Sequence, residues 1–352
     1  MVCKCTNSLF FYPDEKNLFH SMKKLSFIFC LVFYLFCVGV ITQAQSLAGI
    51  THKPDTSYTT YSAYTYSKVD NPHIKIVEDF NYNDVKIKKN ITYCSVGNYD
   101  LKIDAFTPKQ SSNKSIAVIM IHGGGWRSGN RTQHWPLAES LAHLGYVCFT
   151  PEYRLSTEAL FPAAIYDIKT AIRWVKANAS TYNIDTSKIV IAGFSAGGEL
   201  AAFMGTTGNM PLFEGAECNT GISTHLNAVI DIDGTLSFVH PESGESIDTV
   251  GRTSAGTYWF GYTKKENPGL WLVASPFTFV SRNTPPTLFL NSSVARMHAG
   301  RDDYIKVLNE YNIYSEEHGF DDAPHSFPLF YPWFDRMLKY MDEFLKKVFN
   351  DK

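Results

Sequence analysis

The sequence predicts a single-domain α/β sandwich with a mostly parallel sheet, and three observations carry that prediction. From about residue 83 onward, strand-like and helix-like segments alternate, the pattern of helices laid on both faces of a sheet. Ile116 to Ile121 (IAVIMI) and Lys188 to Ala192 (KIVIA) are continuous apolar and β-branched runs. A strand reads that way when both of its faces are covered. Ahead of them, Val85 to Tyr93 and Leu101 to Phe106 alternate apolar with polar residues, as a half-buried antiparallel pair does.

The chain starts well before that domain. Met22-Lys23-Lys24 is basic, Leu25 to Ile41 is an almost unbroken apolar run, and Thr42-Gln43-Ala44 offers small residues at a cleavage position. Residues 22–44 therefore read as a signal peptide with Met22 as initiator, and 1–21 as an upstream extension. The alternative is an uncleaved anchor, since the run approaches bilayer-spanning length. The expected destination is the periplasm or the exterior, with no stable membrane association after cleavage. Residues 46–82 are rich in Thr, Ser and Tyr with weak periodicity, and read as a loose leader to a domain spanning 83–350.

Within the domain, Leu137 to Leu144 predicts a helix, Tyr146 to Thr150 a strand, and Ala163 to Ala177 a long amphipathic helix. Ala228 to Ile232, Thr287 to Asn291 and Tyr314 to Gly319 follow as strands, with a helix from about Asp302 between the last two and a closing helix over Trp333 to Val348. Ser237 to Ser281 breaks the rhythm and holds Trp259, Phe260, Tyr262 and Trp271, so it reads as a small inserted cap.

Composition sets the outer bounds. In 352 residues, 45% hydrophobic and 14% aromatic content supplies a core and excludes disorder, collagen and coiled coil. A net charge of −2 gives no whole-chain reason to bind nucleic acid. The seven cysteines (Cys3, Cys5, Cys30, Cys37, Cys94, Cys148 and Cys218) show no zinc-ligand spacing, and H-E-x-x-H is absent, so no metal site is expected. Cleavage after Ala44 would leave only Cys94, Cys148 and Cys218, an odd number that forms no complete disulfide framework.

Two motifs carry chemistry. Gly193-Phe194-Ser195-Ala196-Gly197 is G-x-S-x-G between a buried strand and a helix. A strand that reverses sharply into a helix strains the serine and crowds the residues two before and two after it, hence the glycines. Ser195 is thereby presented at the carboxyl end of the sheet as a nucleophile. His122-Gly123-Gly124-Gly125-Trp126 follows the IAVIMI strand. A tetrahedral oxyanion needs donors already aimed at it, and consecutive glycines let backbone N–H groups approach. Gly124, Gly125 and Ala196 are the candidate donors. No Gly-Lys-Ser/Thr and no G-x-G-x-x-G accompanies the run, which sets aside a phosphate or dinucleotide loop. His122 reads as a brace for the loop.

With these motifs the sequence resembles the α/β-hydrolase fold, in its HGGGW and G-x-S-A-G-G esterase branch, over about Val85 to Val348. The resemblance implies a three-layer sandwich. It extends to Pro151-Glu152-Tyr153-Arg154-Leu155-Ser156 and Phe161-Pro162-Ala163-Ala164, with Arg154 and Asp167 as a structural ion pair near the site, not as catalysts. Asp233-Gly234, the aromatic cap, and His325-Ser326-Phe327 leading into Phe330-Tyr331-Pro332-Trp333 are similar to secreted bacterial carbohydrate esterases, such as pectin or xylan acetylesterases and feruloyl esterases.

The general base belongs near the C-terminus, in the order Ser, acid, His. His325, in a loop between the last strand and last helix, fits; His318 falls in a strand and His298 precedes the acid candidates. The family places an Asp soon after the Thr287 to Asn291 strand, where this chain has Val294-Ala295-Arg296. Asp302 is then the first candidate and Asp303 the second, with Asp233 and Asp322 as further alternatives. Glu199 is a buried polar residue or a pocket wall. Trp126 and Trp259 are the tentative substrate-facing aromatics, with Trp333 beside them, although such clusters are more often core. The reading is a secreted serine esterase working through an acyl-enzyme without a cofactor. Its expected substrate is an acylated plant cell-wall carbohydrate or small ester, acetyl foremost, with feruloyl or short-chain carboxylesters next. A serine peptidase and a non-catalytic hydrolase-fold binding protein are the rivals.

Overall fold

The computed structural model describes residues 44–110 and 114–350. The upstream extension and all of the signal segment but Ala44 lie outside them. Gln45–Lys352 forms one unit.

The leader departs from the loose segment expected of it. Thr59 and Ser62 cap helix α1 (Thr60–Ser67) reciprocally, side chain to backbone. Strand β1 (Lys75–Ile76) follows. Long-range bonds fix the rest: Gln45 Nε2 and Ser46 N donate to the carbonyls of Phe260 and Gly261 at 2.8 and 2.7 Å. Asp55 accepts from Arg127 Nε at 2.8 Å. Buried Glu139 receives the amides of Phe80 and Tyr82. These partners sit far along the chain, so local periodicity in 46–82 carries no trace of them.

The hairpin β2 (Val85–Val96) and β3 (Tyr99–Pro108) is antiparallel as predicted. There follow β4 (Ser115–Ile121), α2 (Trp135–His143), β5 (Val147–Pro151), α3 (Ala163–Ala177), β6 (Ile184–Phe194), α4 (Ala196–Thr206) and β7 (Ala228–Ile232). After these come α5 (Ala255–Phe260), α6 (Pro268–Val273), β8 (Thr287–Ser292), α7 (Arg301–Glu310), β9 (Ser315–Phe320), β10 (Phe330–Tyr331) and α8 (Trp333–Asn350). The main sheet has eight strands in the order β2-β3-β5-β4-β6-β7-β8-β9, parallel from β5 onward, and β1 pairs separately with β10.

The continuous apolar runs have the cause the sequence suggested. In β4, Ala117, Ile119 and Ile121 join the core that contains Ile165, Ile168 and Ile172 of α3 and Leu200 of α4. Val118 and Met120 join the opposite core, with Leu137 and Leu141 of α2 and Met337 and Phe344 of α8. The sheet lies between two helical layers. β6 begins four residues earlier than the KIVIA run because Ile184 pairs with Ser115 where these two central strands start.

The 237–281 insertion is anchored to the core. Its aromatics Trp259, Phe260 and Trp271 are fully buried and continue the core of α3 and α4. Cys94 and Cys218 form a disulfide that ties β2 to the loop after α4, while Cys148 is free and buried. The bond closes a loop of 124 residues in sequence. Replacing both cysteines by serine is expected to cost about 5 kcal/mol in the loop-entropy description, read as a lower urea midpoint with a steeper slope, since the released unfolded chain is less compact.

Candidate active site

The β6–α4 junction shows why the motif needs its residues. Ser195 has φ 58° and ψ −122°, outside the ordinary regions for a side chain, and its N–H donates to Ile232 O at 2.8 Å. A Cβ on Gly193 would stand 1.9 Å from the Gly197 carbonyl oxygen, and one on Gly197 would stand 2.1 Å from that of Ile121. The turn closes only with hydrogen at both places.

His325 reaches this serine from the segment between β9 and β10. Its Nε2 lies 2.9 Å from Ser195 Oγ, and its Nδ1 lies 2.8 Å from Asp233 Oδ2. Asp233 is fully buried just past the end of β7. Its carboxylate also accepts the Ser292 amide and hydroxyl. Three donors therefore hold one buried carboxylate in the orientation that faces the imidazole.

The acid is thus corrected from Asp302 to Asp233. Asp302 sits in the first turn of α7 with its side chain 84% exposed, paired with Arg301 at 2.8 Å. Asp303 faces His240, and Asp322 accepts from Trp333 Nε1. The carboxylate comes one strand earlier than the usual place, and β8 contributes Ser292 as a donor to it instead. The order Ser, Asp, His along the chain is kept. The missing acid in Val294-Ala295-Arg296, with Asp233-Gly234 ending the strand beside the nucleophile's, was the available signal.

The glycine loop turns around one carbonyl. Gly124 O accepts from Arg127 N, Ser128 N and Ser128 Oγ. At φ 126°, Gly124 has no space for a Cβ, which would lie 2.2 Å from Ser128 O. Among the described residues nothing accepts from the amides of Gly124, Gly125 or Ala196. His122 braces the loop: its ring stacks on Tyr153, whose hydroxyl donates to His122 O, and Nδ1 meets Gly123 O at 2.9 Å. Burial pulls the His122 pKa down to about 4, so at neutral pH the ring is uncharged and Nδ1–H can donate there.

Trp126 and Trp259 do not face the substrate space. They are 3% and 0% exposed and stack on each other at 4.8 Å beneath the loop. Their area and flatness bind the insertion to the core, a role composition alone does not distinguish from sugar stacking. Trp333 is likewise buried. Trp126 Nε1 donates to Glu199 Oε2 at 2.9 Å, and Glu199 N returns to Ser195 O. Burial, with Asp231 close by, pushes the Glu199 carboxyl well above the ordinary carboxylate range. Glu199 therefore joins the nucleophile's helix to the glycine loop. Glu199→Gln, which preserves the acceptor, is expected to leave melting and turnover near the parent. Glu199→Leu, which orphans Trp126 Nε1, should cost about 1–3 kcal/mol by denaturant titration.

Around Ser195 and His325 opens a cleft of about 620 Å³, walled by Gly124 and Gly125, by Tyr58 of the leader, and by residues 244–255 of the insertion. Arg154 and Asp167 form the expected structural ion pair, with Nη2 to Oδ1 at 2.7 Å, but neither lines the cleft near which the sequence placed them.

An eight-stranded, mostly parallel sheet between helical layers, with a strained serine at a strand–helix turn, defines an α/β-hydrolase. The chain belongs to the BD-FAE family, whose profile matches residues 103–297. It is 34% identical over 210 residues to Esterase LipC of Mycobacterium tuberculosis, an alignment covering 58% of this chain and 49% of that protein. The chain spans about half the length of the curated relatives it matches first. A truncated carbohydrate esterase from gut microbiota superposes with a TM-score of 0.62 at 24% identity, covering 77% of this chain and all of that one, a likeness of fold. The native Est2 esterase of Thermogutta terrifontis gives 0.60 at 26% identity over 76% of this chain and 93% of its own.

Proposed function

We propose that the protein is a secreted serine esterase that removes short acyl groups, acetyl foremost, from plant cell-wall polysaccharides or their fragments. The observation that carries this reading is the line Ser195 Oγ, His325, Asp233 meeting the unclaimed amides of the glycine loop at one cleft. Ser195 Oγ attacks the ester carbonyl while His325 Nε2 takes its proton. Asp233 holds the ring by Nδ1–H and balances the imidazolium. The amides of Gly124, Gly125 and Ala196 receive the oxyanion. Collapse expels the alcohol, protonated by His325, and leaves an acyl-enzyme. Water, deprotonated by the same ring, then releases the acid and restores Ser195.

The esterase names of the similar proteins support the reaction class, and the gut carbohydrate esterase suggests the kind of substrate. For secretion, the support is the Cys94–Cys218 disulfide, a bond that persists in oxidising compartments, together with the signal-like start. Among the described residues no helix is long and apolar enough to cross a membrane. Feruloyl or generic short-chain carboxylesters are the second reading, favoured by a cleft larger than an acetyl group needs. Acetate and ferulate release from pectin, xylan and mannan tests the proposal. Acetate release from at least one polymer is expected. Turnover of p-nitrophenyl acetate with no acetate from any polymer or its oligomers would overturn the carbohydrate assignment.

A further inference from the structure

The cleft carries an imbalance of charge that the reaction itself does not use. Its ionic lining residues, apart from His325, are Arg127, Arg252, Arg296 and Glu245, in a chain whose net charge is −2. Two of the arginines are engaged. Arg127 gives Nε to Asp55 and Nη1 to Gly49 O, with its guanidinium over the Tyr258 ring. Arg296 meets Glu245 Oε1 at 3.1 Å. Arg252 has no side-chain partner among the described residues, and it is exposed on the cleft wall.

Its backbone is nevertheless held. Thr249 and Arg252 exchange both N–H to carbonyl bonds at 2.9 Å, closing a turn through Gly251 at φ 80°. Asp248, the nearest acid in sequence, is engaged elsewhere: it accepts from Ser254 N and Thr257 Oγ1 at the start of α5. A guanidinium fixed at its base and free at its tip, on the one cleft-lining arginine without a carboxylate partner among the described residues, suits a planar anion.

We propose that the cleft selects esters bearing a carboxylate, with Arg252 as the group that meets it. This rests on the esterase reading and narrows it: an O-acylated uronic acid would carry the charge on the alcohol side, an acyl group ending in a carboxylate on the other. The unbalanced charge of Arg252 on the cleft wall adds attraction that salt weakens.

The test compares four esters with the full mature chain. One pair is an O-acetylated methyl galacturonoside against the O-acetylated methyl galactoside. The other is p-nitrophenyl hemisuccinate against p-nitrophenyl butyrate. In at least one pair, kcat/KM for the charged ester, relative to its neutral match, is expected to exceed that of an Arg252→Glu variant by about tenfold or more. Arg252→Lys should keep part of the preference, and raising salt to about 0.5 M should shrink it. The pair that responds says which side of the ester is read. A charged-to-neutral ratio that Arg252→Glu does not move in either pair overturns the inference and leaves the esterase standing. Failure of all four esters to turn over overturns both.

Discussion

Ser195→Ala is expected to lose up to about a millionfold in kcat, the scale seen when a serine nucleophile is removed from an intact site. The variant should fold, because what holds the turn is the Ser195 amide on Ile232 O and the two flanking glycines, none of which the substitution touches. Residual hydrolysis of about a thousand- to ten-thousandfold over water should persist, supplied by the amides and by binding. Initial rates on p-nitrophenyl acetate measure the loss. An organophosphonate probe with mass spectrometry should place its adduct on Ser195 in the parent and nowhere in the variant. Equal turnover by the two proteins would leave a binding protein on a hydrolase scaffold as the better description.

Asp233→Asn carries the second large effect, about four orders of magnitude in kcat, since an amide no longer holds the imidazole in the required tautomer. Asp302→Asn should stay within about twofold, because that side chain is solvated and touches only Arg301. The asparagine at 233 also turns an N–H₂ toward the donors of Ser292 or of His325, so some loss of stability of about 1–3 kcal/mol accompanies it. Ser292→Ala separates the two costs. It removes one donor to Asp233 but keeps the His325 contact, and it should fall well short of the Asp233→Asn loss. A full rate in Asp233→Asn would remove this carboxylate from the mechanism.

Where the chain's local pattern and its tertiary surroundings demand the same thing, the sequence was readable. The helix Ala163–Ala177 and the strand Ala228–Ile232 fall at the expected residues because their apolar spacing mirrors the cores they face. The serine turn was readable because its glycines answer a contact between near neighbours. What eluded local reading depends on distant partners. Asp233 and Asp302 are both carboxylates near strand or helix ends, and only the lateral position of β7 beside β6 brings the former to His325. Trp126 and Trp259 lie 133 positions apart in numbering, and nothing in either neighbourhood announces that they stack on one another. The Thr- and Ser-rich leader lacked periodicity because its apolar anchors, Ala63, Ile74 and Val77 with Tyr58 and Phe80, are irregularly spaced and are joined by single hydrogen bonds at distant points rather than forming one stripe.

That fastening changes what a minimal version of this protein would be. Starting expression at the first strand of the hairpin would discard Tyr58, which lines the cleft and touches Ser326, next in sequence to His325. It would also strip Asp55 from Arg127 and release a further guanidinium into the opening. Such a trimmed protein would carry the same reactive groups behind a wider, more cationic entrance, so its selectivity would describe the truncation rather than the parent.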